Sequence, residues 1–195
     1  FSQAAPTRIT VGVSDIDYYP HHNFEGKVRA GYLFDLLRLF EEHSNYRFEY
    51  VPLPIKRLKY RFFNRRDIDL LYPYNPQWHK SQGFNLSLVY SPPIVGIIGG
   101  TMILPEHLGR GLKQFHALSV PRGFTPIEWY KIKNQHKVTI VEVLTATDAL
   151  NMVSRHRVDG ADIEYNVAQH LMDKMNKPGA LVLDPQLPYS LVDFH

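Results

Sequence analysis

Ile94-Val95-Gly96-Ile97-Ile98-Gly99-Gly100-Thr101-Met102-Ile103 is the stretch on which the fold turns. It is apolar almost throughout, has no helical period and carries three glycines, so it reads as a strand rather than a buried helix. Tyr90-Ser91-Pro92-Pro93, just before it, breaks the preceding pattern. Alternating strand and helix patterns lie on both sides. A glycine-bearing strand between two such segments reads as the crossing from one α/β lobe to another. Its small residues suit the backbone rotation that hinge closure requires.

Toward the N-terminus, Ile9–Ser14 alternates apolar with small or polar residues and predicts a strand. A loop from Asp15 to Gly31 follows, rich in aromatic and turn residues. Leu33, Leu36, Leu37 and Phe40 then mark an amphipathic helix that ends near His43 to Asn45. Arg47–Val51 predicts a second strand, stopped by Pro52 and Pro54. A basic helix over 55–63 and a short strand at Asp69–Tyr72 complete this half. Toward the C-terminus the alternation resumes: strand Ala117–Val120, helix Pro126–Lys133, strand Val138–Val143, helix Ala146–Arg155, strand Gly160–Ile163, helix Val167–Met175 and strand Ala180–Leu183. Such alternation predicts an α/β fold of two Rossmann-like lobes, with mostly parallel sheets flanked by helices. Lobe 1 is expected over 1–93, with 188–195 beginning its return strand, and lobe 2 over 94–187.

Composition agrees with a packed domain. The 195 residues are 44% hydrophobic and 21% charged, near the average for globular chains and unlike a disordered segment. Without cysteine there is neither a disulfide nor a thiolate metal site. No apolar run approaches the roughly 18 residues that read as a membrane-spanning helix. The start, Phe1-Ser2-Gln3-Ala4-Ala5-Pro6, suits a mature N-terminus left by signal cleavage, so export is expected. Net charge is +3, and Lys56, Arg57, Lys59, Arg61, Arg65 and Arg66 crowd into one stretch. Ile55, Leu58, Phe62 and Phe63 fall there at helical spacing and face a core, which leaves the cations on the solvated side. No recognised nucleic-acid motif accompanies them, so no nucleic-acid partner is expected.

In open α/β sheets ligands sit beyond the carboxyl ends of the strands. That directs attention to the loops after the first and third strands. Tyr18 and Tyr19 follow the first; Tyr72, Tyr74, Asn75, Trp78 and Lys80 follow the third. Aromatic walls with a few polar groups are the usual make-up of a small-ligand pocket, although packing alone would also account for such rings. In the second half, Gly123-Phe124-Thr125-Pro126-Ile127-Glu128 has the form of a helix start: Thr125 as N-cap, Pro126 at the first helical position, Glu128 completing a capping box. Free N–H groups there would attract a ligand carboxylate. Asp159-Gly160-Ala161-Asp162-Ile163-Glu164 offers three carboxylates around a short strand. On a strand, Asp162 and Glu164 point the same way. A carboxylate at that end could pair with a ligand ammonium; a solvated acidic loop is the alternative. Nucleophile-elbow, P-loop and dinucleotide fingerprints are missing, and His21-His22 lacks the two-histidine spacing of zinc hydrolases. Neither catalysis, nor a metal, nor a cofactor is expected.

Several segments in order over nearly the whole chain resemble the type 2 periplasmic solute-binding proteins, in particular their polar amino-acid-binding branch. They are Ile9–Ser14, Gly31-Tyr32-Leu33-Phe34-Asp35-Leu36, Asp67-Ile68-Asp69-Leu70-Leu71, Tyr90-Ser91-Pro92-Pro93, Val120-Pro121-Arg122-Gly123-Phe124-Thr125, and Asp148-Ala149-Leu150 through Arg157-Val158-Asp159-Gly160-Ala161. The resemblance implies a bilobal clamp that closes on one small polar solute, amino-acid-like or related, and presents it to the membrane permease of an ABC importer. It implies ligand groups at Tyr18 and Tyr19, between Tyr72 and Trp78, at Gly123 and Thr125, and at Glu164, where the family's acid meets the ligand amine. The resemblance also departs in two places. Amino-acid binders carry an arginine after the third strand; here Asn75–Gln82 has none, and Lys80 lacks the bidentate fork. The family also continues beyond the return strand to a closing helix, so the first lobe is expected to be incomplete at this C-terminus or unusually small.

Two other classes remain open on the sequence. One is a ligand-sensing domain whose partner is the signalling output of a membrane-bound protein; the same fold serves both roles. The other is an enzyme on this fold, which would need an acid and base pair such as Glu164 with His79 or Lys80. A binding protein of this kind is expected to act as a monomer. Glu164→Ala is expected to weaken ligand binding strongly with little change in folding.

Overall fold

The computed structural model of the chain describes residues 5–81 and 87–195. These residues fall into two compact units, 5–74 with 87–88 and 75–81 with 89–195.

The first unit is built on three parallel strands, β1 (Thr7–Ser14), β4 (Tyr46–Leu53) and β5 (Leu70–Tyr72), in the order β4-β1-β5. β1 lies in the middle, and its carboxyl half, Val11 to Ser14, is buried on both faces. The continuous apolar reading of that half follows from being covered on both sides. Helix α2 (Ile55–Tyr60) packs directly over it: a Cβ at Gly12 would lie 2.7 Å from Leu58 Cδ1. α2 runs on into a π-turn, Arg61–Arg65. Leu58 and Phe63 face the core while Lys56, Arg57, Arg65 and Arg66 stay in water, and Arg61 grips Asp67 with paired contacts of 3.0–3.1 Å. A two-residue hairpin, β2 (Asp17–Tyr18) with β3 (His22–Asn23), lies within the stretch read as an irregular loop. Helix α1 (Tyr32–Glu42) starts at Gly31, whose φ of 98° suits glycine and whose absent Cβ would lie 2.7 Å from His22 Cα.

The second unit holds a mixed sheet ordered β10-β6-β9-β7-β8. It comprises β6 (Val95–Ile103), β7 (Ala117–Pro121), β8 (Thr139–Val143), β9 (Gly160–Glu164) and β10 (Val182–Leu183), with β11 (Ser190–Phe194) also paired to β6. β7, β8 and β9 are parallel, as the intervening helices predict; β6 runs antiparallel to β9, β10 and β11. One face packs on α4 (Ile127–Ile132) around Trp129, which is 1% exposed and stacks on Phe115 at 4.6 Å. The other packs on α5 (Ala146–Ser154) and α6 (Tyr165–Lys174) through Leu150, Ala168 and Met172. The short helix α3 (Pro76–Ser81) belongs to this unit too: the Asn75 side chain donates to Asp193 O at 2.8 Å and Trp78 meets Phe194 at 5.8 Å.

Candidate functional site

In the first unit the carboxyl ends of β1 and β5 meet through the hairpin. Tyr18 sits opposite His22 in the β2–β3 pair, their ring centroids 5.5 Å apart, and Tyr72 at the end of β5 meets the same imidazole edge-on at 5.8 Å. Tyr18, His22, Tyr72 and Tyr74 are all 5% exposed or less, and Tyr74 packs on Phe63. These rings are core, and only Tyr19, 42% exposed, stands out into solvent. His22 is the unusual member. It is 1% exposed, and neither ring nitrogen has a hydrogen-bond partner among the described residues. Burial, reinforced by neighbouring His21 and opposed by Asp17, pulls its pKa down to about 3, so the ring is neutral at physiological pH. The sequence marked this position only by the adjacent histidines.

In the second unit the carboxyl ends of the parallel strands β7 and β9 lie side by side, which brings the Gly123–Thr125 turn and Glu164 to one edge of the sheet. The turn is not the helix cap that its sequence suggests. Pro126 is the N-cap residue of α4 and has ψ 76°, Thr125 makes no side-chain cap, and its carbonyl accepts Ile127 N–H at 2.9 Å. Glu128 instead pairs with Lys131 at 2.7 Å. Pro126 keeps an ordinary φ of −76°, but its ψ of 76° lies outside the helix, so the helix begins one residue later than a Thr125 cap would place it. Gly123 has φ 89°, a conformation that suits glycine, and makes the tight reversal after β7.

Glu164 ends β9 and is 2% exposed. Its Oε2 accepts Val167 N–H at 2.8 Å and its Oε1 accepts from Asn166 Nδ2 at 3.0 Å, so it is the N-cap of α6. Replacing it by alanine therefore also removes a cap worth roughly 1 kcal/mol, a cost to the fold absent from the sequence-based expectation. Two residues earlier Asp162 is half-buried, and burial raises its pKa to about 7.

Asn75 is occupied at both ends of its amide, since its Oδ1 also accepts Gln77 N–H at 2.7 Å. Trp78 is half-buried against Phe194. The Lys80 side chain lies outside what is described. Within the first unit, then, Tyr18 and Tyr72 are gathered around His22; within the second, Gly123, Thr125 and Glu164 share a sheet edge. Among the described residues no group of three or more histidines and carboxylates is placed to hold a metal ion.

No protein-family model matches the chain, and no curated protein does either. Solved structures do. An arginine-bound point mutant of ArgBP from T. maritima is 15% identical over 96% of this chain and 86% of its own, with a TM-score of 0.71. The arginine-, lysine-, histidine-binding protein ArtJ from Geobacillus stearothermophilus is 16% identical over 97% of this chain and 80% of its own, again at 0.71. The GluR0 ligand-binding core in complex with L-glutamate is 15% identical over 99% of this chain and 85% of its own, at 0.71. At such identities the likeness is one of fold, and it shows that the chain has the type 2 periplasmic-binding-protein fold.

Proposed function

We propose that this chain binds a small, amino-acid-like solute bearing a positively charged nitrogen, outside the cytoplasm, and delivers it to an ABC importer by closure of its lobes. The observation that carries this reading is Glu164. A carboxylate 2% exposed, standing at the carboxyl end of a sheet strand where α/β folds take their ligands, is costly to bury unless charge or hydrogen bonds meet it. Its own helix meets it with two hydrogen bonds, and a carboxylate at this end of the strand suits a ligand ammonium. Proteins with this fold named for arginine, for arginine, lysine and histidine, and bound to L-glutamate lend the amino-acid class further support. Export suits such a role, and no helix among the described residues is long and apolar enough to cross a membrane.

The direct test is a thermal-shift screen against L-arginine, L-lysine, L-histidine, L-glutamine, L-glutamate and polyamines, followed by calorimetry. A true ligand raises the melting temperature by mass action. Glu164→Gln keeps an oxygen to accept Val167 N–H while removing the charge, so it is expected to weaken binding of the best probe at least tenfold, about 1.4 kcal/mol, with the fold retained. Unchanged affinity would take Glu164 out of the site. A reading as a sensory domain has one specific support, the likeness to a structure described as a ligand-binding core. A membrane helix leading to a signalling domain in the full-length protein would decide for it.

A further inference from the structure

We infer that the outer edge of β4 is a self-complementary docking surface for a second copy of this chain, and that the Glu41 side chain is its gate. The surface lies within the first unit and does not depend on the solute. β4 is the last strand of the β4-β1-β5 sheet, so among the described residues one of its sides has no strand beside it. At its two ends Asn45 O and Leu53 O accept Thr7 N–H and Asp15 N–H from the chain of β1. The odd-numbered backbone groups of β4 therefore turn inward, and those of Tyr46, Phe48, Tyr50 and Pro52 turn outward. An open edge invites another strand. Here it is closed group by group. Ser44 Oγ accepts Tyr46 N–H at 3.3 Å, Arg47 Nη1 donates to Tyr46 O at 2.6 Å, and Pro52 has no N–H. Glu41, reaching over from α1, accepts Phe48 N–H at 2.5 Å.

The sequence of that edge fits its own copy. With a twofold axis at Phe48 in an antiparallel pair, Tyr46 stands opposite Tyr50 and Arg47 opposite Glu49, each pair occurring twice. Opposite charges and aromatic rings in such cross-strand positions both stabilise the pairing. An axis at Glu49 would set that carboxylate against itself, and one at Tyr50 would set Phe48 against a proline without a donor. The exposed pairing of Glu49 with Arg8 is worth little in water, so Glu49 can exchange partners. On the α1 face Phe40 meets Tyr46 at 6.0 Å and Phe48 at 5.9 Å, while Leu39, Phe40 and Tyr46 are 54%, 50% and 42% exposed. The same axis brings this apolar strip toward its copy, as an isologous interface requires. In this register Phe48 N–H has to donate to the Phe48 carbonyl of the second copy. That is the group Glu41 holds, so the copy docks only when Glu41 lets go.

Analytical ultracentrifugation tests this. Glu41→Ala is expected to self-associate about tenfold or more tightly than the parent. Alanine suits the helix, so the variant keeps α1. Glu41→Gln, which retains an acceptor oxygen for Phe48 N–H, is expected to stay close to the parent. In the Glu41→Ala protein, Arg47→Glu sets like charges opposite one another and is expected to undo the association. Arg47→Glu together with Glu49→Arg is expected to restore it, a rescue that a merely weakened strand would not show. A Glu41→Ala protein that sediments as the parent does overturns the proposal. So does an association indifferent to the reversal of Arg47, or one that the double reversal fails to restore.

Discussion

The two units furnish the carboxyl ends of their strands in opposite ways. In the first, Tyr18, Tyr72 and Phe24 enclose a neutral imidazole with no hydrogen-bond partner for either nitrogen among the described residues. In the second, Asp162 and Glu164 point from one strand toward the same face. Burial acts on both sets through the same physics, disfavouring the charged form, yet it lowers the pKa of the histidine and raises that of the aspartate. The first unit thus closes its strand ends with a buried, uncharged aromatic cluster, and the second ends a strand in carboxylates.

The contrast predicts opposing slopes of stability with pH, and this is the largest effect expected. Between about pH 3 and 6.5 the unfolded chain holds a proton on His22 that the folded chain does not, so stability rises with pH there, by at most about 1.4 kcal/mol per unit. Between its ordinary value of 3.8 and about 7, Asp162 holds its proton only in the folded chain, so stability falls with pH. The ceiling per unit is the same, reduced for the part of the carboxyl that water reaches. From about pH 4 to 6.5 the two offset. His22→Phe keeps a ring against Tyr18 and Tyr72 and is expected to unmask the falling slope; Asp162→Asn is expected to unmask the rising one. Denaturant melts of the three proteins across pH 3.5 to 8 would measure it. Parallel profiles would break the comparison at its root.

Glu164 comes next in size. Glu164→Ala is expected to lose both solute affinity and roughly 1 kcal/mol of stability through the α6 cap, whereas Glu164→Gln loses affinity with most of the cap kept. Equal stability of the two variants would show that the cap contributes nothing and that burial of the carboxylate serves the ligand alone.

How much of this was legible in the sequence depends on the range of the interaction responsible. Strands such as Thr7–Ser14 and Tyr46–Leu53 and the helix Tyr32–Glu42 announce themselves through alternation and helical period, because burial writes a local pattern, but Pro52, read as the stop of the second strand, lies inside it and pairs with Val13. The Asp17–Tyr18 and His22–Asn23 hairpin does not, since two-residue strands have no period to read. The antiparallel pairing of Ser190–Phe194 with Val95–Gly99 joins segments far apart in sequence, which no local pattern announces. The shared face of Asp162 and Glu164 follows from strand geometry alone. That Glu164 caps a helix required the positions of Val167 and Asn166.

The smallest expected effect is also the sharpest local comparison. Thr125 and Thr145 each precede an acidic residue by three positions, so both read as capping boxes, and only one is. Thr145 accepts Asp148 N–H at 3.0 Å and Asp148 accepts Thr145 N–H at 3.1 Å. After Thr125 the helix begins one residue later, and the Thr125 carbonyl serves a tight turn instead. Thr145→Ala is therefore expected to cost about 1 kcal/mol, and roughly 2–4 °C in melting temperature for a chain of this size, without changing solute affinity. Thr125→Ala is expected to move stability by less than about 0.5 kcal/mol. If Thr125 contacts the solute, as its place beside Glu164 on the sheet edge suggests, the same change weakens binding. Two threonines with one local pattern would then separate cleanly, one holding a helix and the other holding a ligand; a loss of stability at Thr125 equal to that at Thr145 would return it to the fold.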